Sequence, residues 1–143
     1  MIRMSKMTDY GIVLLVNLAR AGGSKTARQL AQETDLTQAT VAKVLKELSR
    51  HDFLVAIRGA RGGYRLHGVP ESIRILDVIE ALEGPIALTE CSSAPSDGQC
   101  SHEENCLVRA PWVQINDAVK QALADISLWD MARPTFQVLE SRR

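Results

Sequence analysis

Cysteine is absent from the 143-residue chain except in one place: Cys91, Cys100 and Cys106 fall within sixteen residues of one another. An odd number of thiols excludes a purely disulfide-stapled secreted framework. It favours a compartment where thiolates stay reduced, so the cytoplasm is the expected location. Paired C-x-x-C knuckles are missing, which argues against structural zinc. No nucleophile sits beside a base and no phosphate-cradling loop carries a lysine, so neither an enzyme nor a small-molecule substrate is expected. Long apolar runs are lacking too. Arg3 and Lys6 precede the run Gly11 to Val16, but Asp9 stands at its front and Asn17 and Arg20 interrupt it, which suits a core helix better than a leader or a membrane span.

Net charge is the last absence, and it hides an asymmetry. Residues 1–70 hold eleven Lys/Arg against five Asp/Glu, a balance of plus six, whereas residues 71–143 hold six against twelve, a balance of minus six. A polyanion would meet the front half, although a solvated cationic face gives the same count. The 45% hydrophobic share is enough for one domain with a real core.

Met7, Tyr10, Gly11, Leu14, Leu15 and Leu18 repeat at helical spacing, predicting a helix from Ser5 to Arg20 that stops at Gly22-Gly23. Thr26-Ala27-Arg28-Gln29 has the form of a capping box for a short second helix ending near Glu33. After the turn Asp35-Leu36-Thr37, Thr37 can cap a third helix with Val41, Val44, Leu45 and Leu48 on one stripe. Its other face carries Gln38, Ala39, Thr40, Lys43, Lys46 and Arg50. Two short helices joined by a tight turn, the second polar and basic at its front, read as a helix-turn-helix. In that geometry Gln38, Ala39 and Thr40 reach base edges while Lys43 and Lys46 neutralise phosphates.

Residues Phe53 to Leu66 form two β-prone runs, with Phe53, Val55 and Ile57 alternating on one side, around the tip Arg58-Gly59-Ala60-Arg61-Gly62-Gly63. This predicts a hairpin wing whose Arg58 and Arg61 suit a narrow minor groove. Lys6, Arg28 and Tyr64 complete the candidate DNA contacts. A helix starting at Pro70-Glu71-Ser72, with Ile75, Leu76, Ile79 and Leu82 on one face, is expected to end at Gly84-Pro85. A last long helix starts near Pro111, with Trp112, Ile115, Val119, Ala122, Ile126 and Trp129 spaced alternately three and four apart. That seam suits the same helix of a second copy, giving a homodimer with two recognition helices about one DNA turn apart. The expected class is therefore mainly α with a small β-hairpin. The divisions are a winged helix-turn-helix over 1–84, a cysteine loop over 85–108, a dimerisation helix over 109–132 and a tail over 133–143.

The cysteines themselves supply soft thiolate ligands that can converge on an iron-sulfur cluster or a zinc, with a fourth ligand from elsewhere. A redox-sensing thiol set without a metal is the rival reading.

Several segments together resemble the IscR/NsrR-type family of winged-helix iron-sulfur regulators: Ser5-Lys6-Met7-Thr8-Asp9-Tyr10-Gly11, the helix-turn-helix, the wing Arg58 to Tyr64, and Ile79-Glu80-Ala81-Leu82-Glu83-Gly84-Pro85 before a three-cysteine loop. The stretch Leu82 to Cys91 is most similar to the branch that regulates the SUF iron-sulfur assembly operon. This resemblance implies a homodimeric repressor of double-stranded promoter DNA whose cluster, two-iron or four-iron, sets its affinity. In one branch a histidine stands three residues after the last cysteine; here that residue is Arg109, which cannot deprotonate to ligate. In the other branch an aspartate from the first helix of the second subunit completes the shell, which makes Asp9 the preferred fourth ligand and His102 the runner-up. Spacing also differs, with eight residues between Cys91 and Cys100 and five between Cys100 and Cys106. Nitric oxide as the signal is an alternative, as is a cluster or zinc carrier that uses the basic face for a protein partner.

Overall fold

A computed structural model describes residues 2–92, 100–101 and 103–134. Its elements are α1 (Lys6–Ala21), α2 (Ala27–Thr34), α3 (Gln38–Arg50), β1 (Leu54–Ile57), β2 (Gly63–Leu66), α4 (Ile75–Glu83), α5 (Arg109–Ala124) and α6 (Leu128–Ala132), with 3-10 turns at Pro70–Ser72, Glu90–Ser92 and Glu103–Asn105. The architecture is mainly helical with one antiparallel two-stranded hairpin.

Each of the first three helices starts on a hydroxyl that accepts an otherwise unpaired N–H, as expected of Ser and Thr at that position. Ser5 accepts from Thr8 N at 3.3 Å. Thr26 accepts from Gln29 N while the Gln29 side chain accepts from Thr26 N, so the predicted capping box is formed. Thr37 accepts from Thr40 N at 3.2 Å. Helix α1 closes on Gly22 with φ +68°, a conformation glycine adopts without a Cβ penalty.

Leu14, Leu15 and Leu18 of α1, Leu30 of α2, and Val41, Val44, Leu45 and Leu48 of α3 form one core with Ile75, Val78 and Ile79 of α4 and Leu128 of α6. In β1 the buried residue is Leu54, on the opposite side of the strand from the expected trio Phe53, Val55 and Ile57. The strand is four residues long and leaves directly from α3, so its first residue still lies over the helical core, where Phe53 also packs.

Two helical expectations are corrected. The helix expected from Pro70 is a 3-10 turn, then extended residues Ile73 and Arg74, then α4. The long helix expected over 109–132 is two helices. Both breaks have one cause: Ile75 N donates to Ile126 O at 3.0 Å and Leu128 N donates to Ile73 O at 2.7 Å, a β-bridge of Arg74 with Ser127. Backbone groups spent on this bridge cannot continue a helix on either side. Ser127 then caps α6 through a reciprocal capping box with Asp130. As a result Ile126 and Trp129 leave the expected seam and pack on their own chain's core, whereas Trp112, Ile115, Val119 and Ala122 remain on α5.

Candidate nucleic-acid interface and cysteine loop

Burial of Val41, Val44, Leu45 and Leu48 turns the opposite side of α3 outward, leaving Gln38, Ala39, Lys43 and Lys46 exposed. Thr40 is half-buried, and its hydroxyl accepts from Thr37 Oγ1 at 2.9 Å, so it is part of the cap as well as the front of the helix. Arg50 is paired with Glu47 at 2.7 Å. The turn into α3 passes through Asp35 at φ +57°, a left-handed position that Asp tolerates.

The wing is fastened to α3 at its base. Phe53 N donates to Leu48 O at 3.0 Å, His67 N to Phe53 O at 2.9 Å, and the His67 ring nitrogen Nδ1 lies 3.0 Å from Asp52 O. Near the tip, Lys25 and Tyr64 exchange backbone hydrogen bonds at 2.9 and 2.8 Å, so the turn between α1 and α2 meets the hairpin through a single β-bridge. That approach needs glycine next to it. A β-carbon on Gly63 would stand 2.4 Å from Lys25 O, and one on Gly62 would stand 2.4 Å from Ile57 O. Arg58 and Arg61 are exposed at the tip, whereas Tyr64 is half-buried and packs on the core. Lys6 and Arg28 are exposed at the starts of α1 and α2. The wing is thus tied to α3 at its base and to the α1–α2 turn through Tyr64.

The cysteine segment is pinned on its entry side. Asn116, buried in α5, accepts from Leu88 N at 3.0 Å and donates to Ile86 O at 3.2 Å. Glu80 of α4 accepts from Ile86 N at 3.3 Å and from Lys120 of α5 at 3.0 Å; the Lys120 hydrogen bond, first among its causes, holds the Glu80 carboxyl below its ordinary value. Cys91 lies in the next 3-10 turn, and Cys106 O accepts from Arg109 N at the start of α5. The three cysteines are free and partly exposed. Among the described residues no three His, Cys, Asp or Glu side chains converge to hold a metal ion. His102 lies outside the described residues. Asp9 is exposed in the first turn of α1 and lines an open groove of about 580 Å³ with Ile12, Val13, Val16, Asn17 and Met131; no cysteine is among its lining residues.

A family model described as Rrf2, an iron-dependent transcriptional regulator, matches residues 4–134. The chain belongs to the Rrf2 family. It is 30% identical over 135 residues to the HTH-type transcriptional regulator CymR of Bacillus subtilis, covering 93% of this chain and 91% of the relative. The structure of CymR, described as the global cysteine regulator of B. subtilis, superposes with TM-score 0.74 over 94% of this chain and 99% of that one. IscR of T. potens shares the fold at TM-score 0.69, 22% identity, and 91% and 85% coverage. The Rrf2 chain is thus a transcriptional regulator and not an enzyme. Among the described residues no helix is long and apolar enough to cross a membrane.

Sequence reasoning missed three of the residues that assemble this Rrf2 protein's functional regions. Lys25 Nζ donates to Asn17 Oδ1 at 2.7 Å and to Glu33, which lowers the Glu33 pKa chiefly through that hydrogen bond. Glu83 accepts from Ser5 N at 2.7 Å and from Thr8 Oγ1 at 2.6 Å, joining the end of α4 to the start of α1. Asn116 is the third. In sequence it is one of several polar residues of α5, beside Ile115 of the seam, and nothing marks it as the buried one.

Proposed function

We propose that this Rrf2 regulator is a cytoplasmic homodimeric repressor whose cysteine loop holds an iron-sulfur cluster and whose hold on promoter DNA of iron-sulfur assembly genes depends on that cluster. One observation carries the reading: three unpaired, partly exposed thiols lie on a segment tied to α4 and α5, while α4 is tied in turn to the first turn of α1. The donor set fits the group in kind, since soft thiolates are what such clusters bind. Cys91, Cys100 and Cys106 would hold it, with Asp9 of a second copy as preferred fourth ligand and His102 as the alternative. When bound, it would supply an electron-accepting centre sensitive to iron, oxygen and nitric oxide. The rest of the work belongs to the chain. Asn116 and Glu80 fix the loop entry, Glu83 passes its position to α1, and the α3–wing unit carries the change to DNA, the two-site coupling that regulation requires. Gln38, Ala39 and Thr40 read bases, and Lys6, Arg28, Lys43, Lys46, Arg58 and Arg61 meet phosphate or the minor groove, with Tyr64 buttressing the wing. The α5 face of Trp112, Ile115, Val119 and Ala122 joins the two copies.

A second reading has its own support. The thiols are not gathered into a metal-holding group among the described residues, and the 30% identical relative is named a cysteine regulator. In that reading the same thiols switch the regulator by oxidation, without a cluster.

The test is anaerobic purification with iron, sulfide and visible-spectrum analysis, followed by promoter binding of loaded and stripped protein over a salt series. The cluster reading expects a coloured protein, different affinities for the two forms, and a log–log salt slope of about −0.9 per phosphate contact. A colourless protein whose DNA affinity follows only thiol oxidation supports the second reading. Titration of the loaded form with nitric oxide and with oxygen separates the two signals.

A further inference from the structure

Ala19 and Arg20 near the end of α1, Pro70 in the turn after the wing, and Trp129, Ala132 and Arg133 at α6 line an open groove of about 790 Å³. Small-molecule sites occupy about 300–1,000 Å³. No cysteine and no residue of α3 is among the lining residues, so the groove is separate from both regions described above. Its floor is small and apolar: Ala19 and Ala132 are buried, and Pro70 and Trp129 stand half-buried beside them. A neighbouring depression shares Ala19 and Pro70 and adds Leu66, the last residue of β2, and Val69, which is 59% exposed. The apolar surface therefore runs from α6 to the base of the wing.

Charge gives the groove a preference. Its rim carries two guanidiniums, Arg20 and Arg133, and one carboxylate, Glu71, and all three residues are exposed. An arginine at the end of a helix ordinarily answers the partial negative charge of the last carbonyls. Arg20 does so for α6 with one donor only, since its Nε donates to Ala132 O at 2.8 Å, and this bond fixes the guanidinium across the groove. Arg133 lies 3.8 Å from Asp130, beyond hydrogen-bond reach. Both arginines thus keep donors for an anion.

We propose that this groove is a ligand site for a small apolar carboxylic acid, with the carboxylate on Arg20 and Arg133 and the hydrocarbon against Trp129, Pro70 and Val69. A planar guanidinium matches the two oxygens of a carboxylate, and an indole wall favours an apolar body over a sugar or a nucleotide phosphate. An occupant touches α1, α6 and the segment after β2 at once. It therefore bears on the wing base without passing through the cysteines, and the inference stands whether or not a cluster is bound.

The probes are decanoate and decanol at submicellar concentration, and the reporter is Trp129. The chain has two tryptophans, so in full-length Trp112→Phe the tryptophan emission comes from Trp129 alone. Decanoate is expected to change that emission to saturation and to displace the dye 8-anilinonaphthalene-1-sulfonate, whereas decanol, which lacks the charge, binds about tenfold more weakly. Adding Arg20→Gln and Arg133→Gln is expected to weaken decanoate about tenfold and to leave decanol as it was; a groove merely damaged by the substitutions would lose both. Equal affinity for the two probes, or for decanoate with and without the arginine substitutions, overturns the proposal. So does dye displacement with no change in Trp129 emission, which would place the probe on the exposed α5 face. Decanoate that binds only after residues 135–143 are removed would give the groove to the chain's own C-terminus and overturns it as well.

Discussion

Residues 6–83 and helix α5 treat their side chains in opposite ways. In the first region Leu14, Leu15, Leu30, Leu45 and Leu48 are fully buried, and the polar faces look outward. In α5 the buried residue is Asn116, while Trp112 is 37% and Ile115 47% exposed, with Val108 and Leu107 still more open in the approach to the helix. A region with its leucines inside has closed its own core. A helix with its amide inside and its tryptophan outside is using its own chain for hydrogen bonding and leaves an apolar face open, the face that the proposed dimer would cover.

The sharpest way to break this comparison is to damage each region with one change. Leu45→Ala removes buried methyl groups from a site with no exposure and is expected to lower unfolding free energy by about 2–5 kcal/mol in denaturant titrations. Trp112→Asp with Ile115→Asp is expected to keep the helical circular dichroism signal while shifting sedimentation from dimer to monomer. Loss of helical signal in the double variant would show that α5 is held by its apolar face within one chain, and the contrast would be gone.

The next effect down lies where the regions meet. Asn116→Ala leaves Leu88 N and Ile86 O without their side-chain partner, and a buried group stripped of its partner costs about 1–3 kcal/mol. Hydrogen exchange at the Leu88 amide should speed up by the corresponding factor, about 5- to 150-fold, while exchange in α3 stays as it was. Unchanged protection at Leu88 would mean that the cysteine segment is held by something other than α5.

The same division governs how much the sequence reveals. The caps at Ser5, Thr26 and Thr37 are legible because each is decided within four residues, and the stripe Val41, Val44, Leu45, Leu48 because it repeats within two helical turns. The hairpin is legible because its glycines and alternation are local. The break at residues 125–127 is not, because the bridge partner of Ser127 is Arg74, far off in the chain; a three-four spacing runs straight across a break that only tertiary pairing creates. For the site, the outward positions on α3 follow from the inward stripe, and the cysteines announce their chemistry by type. The residues that brace these regions are harder to see: Glu83 and Asn116 act across 75 and 28 residues, and Lys25, which acts across only eight, looks like an ordinary surface position in sequence.

The smallest expected effect tests whether the cysteine side and the DNA-binding side are joined at all. Glu83 accepts from Thr8 Oγ1 and from Ser5, and these hydrogen bonds, Thr8 foremost, hold its carboxyl below the ordinary value of 4.5. A carboxyl whose folded pKa is depressed contributes stability above its unfolded pKa and loses it as pH falls through the folded value. The α4–α1 junction should therefore be intact at neutral pH and loosen in acid, below about pH 4.5. Because Glu83 is solvent-exposed, screening keeps the effect small. Glu83→Gln keeps an oxygen for Ser5 and Thr8 but removes the charge, so its unfolding midpoint should fall less steeply with acidification than that of wild type. Parallel curves would mean that the charge on Glu83 contributes nothing to the junction. The path from the cysteine segment to α1 would then have to run through packing alone.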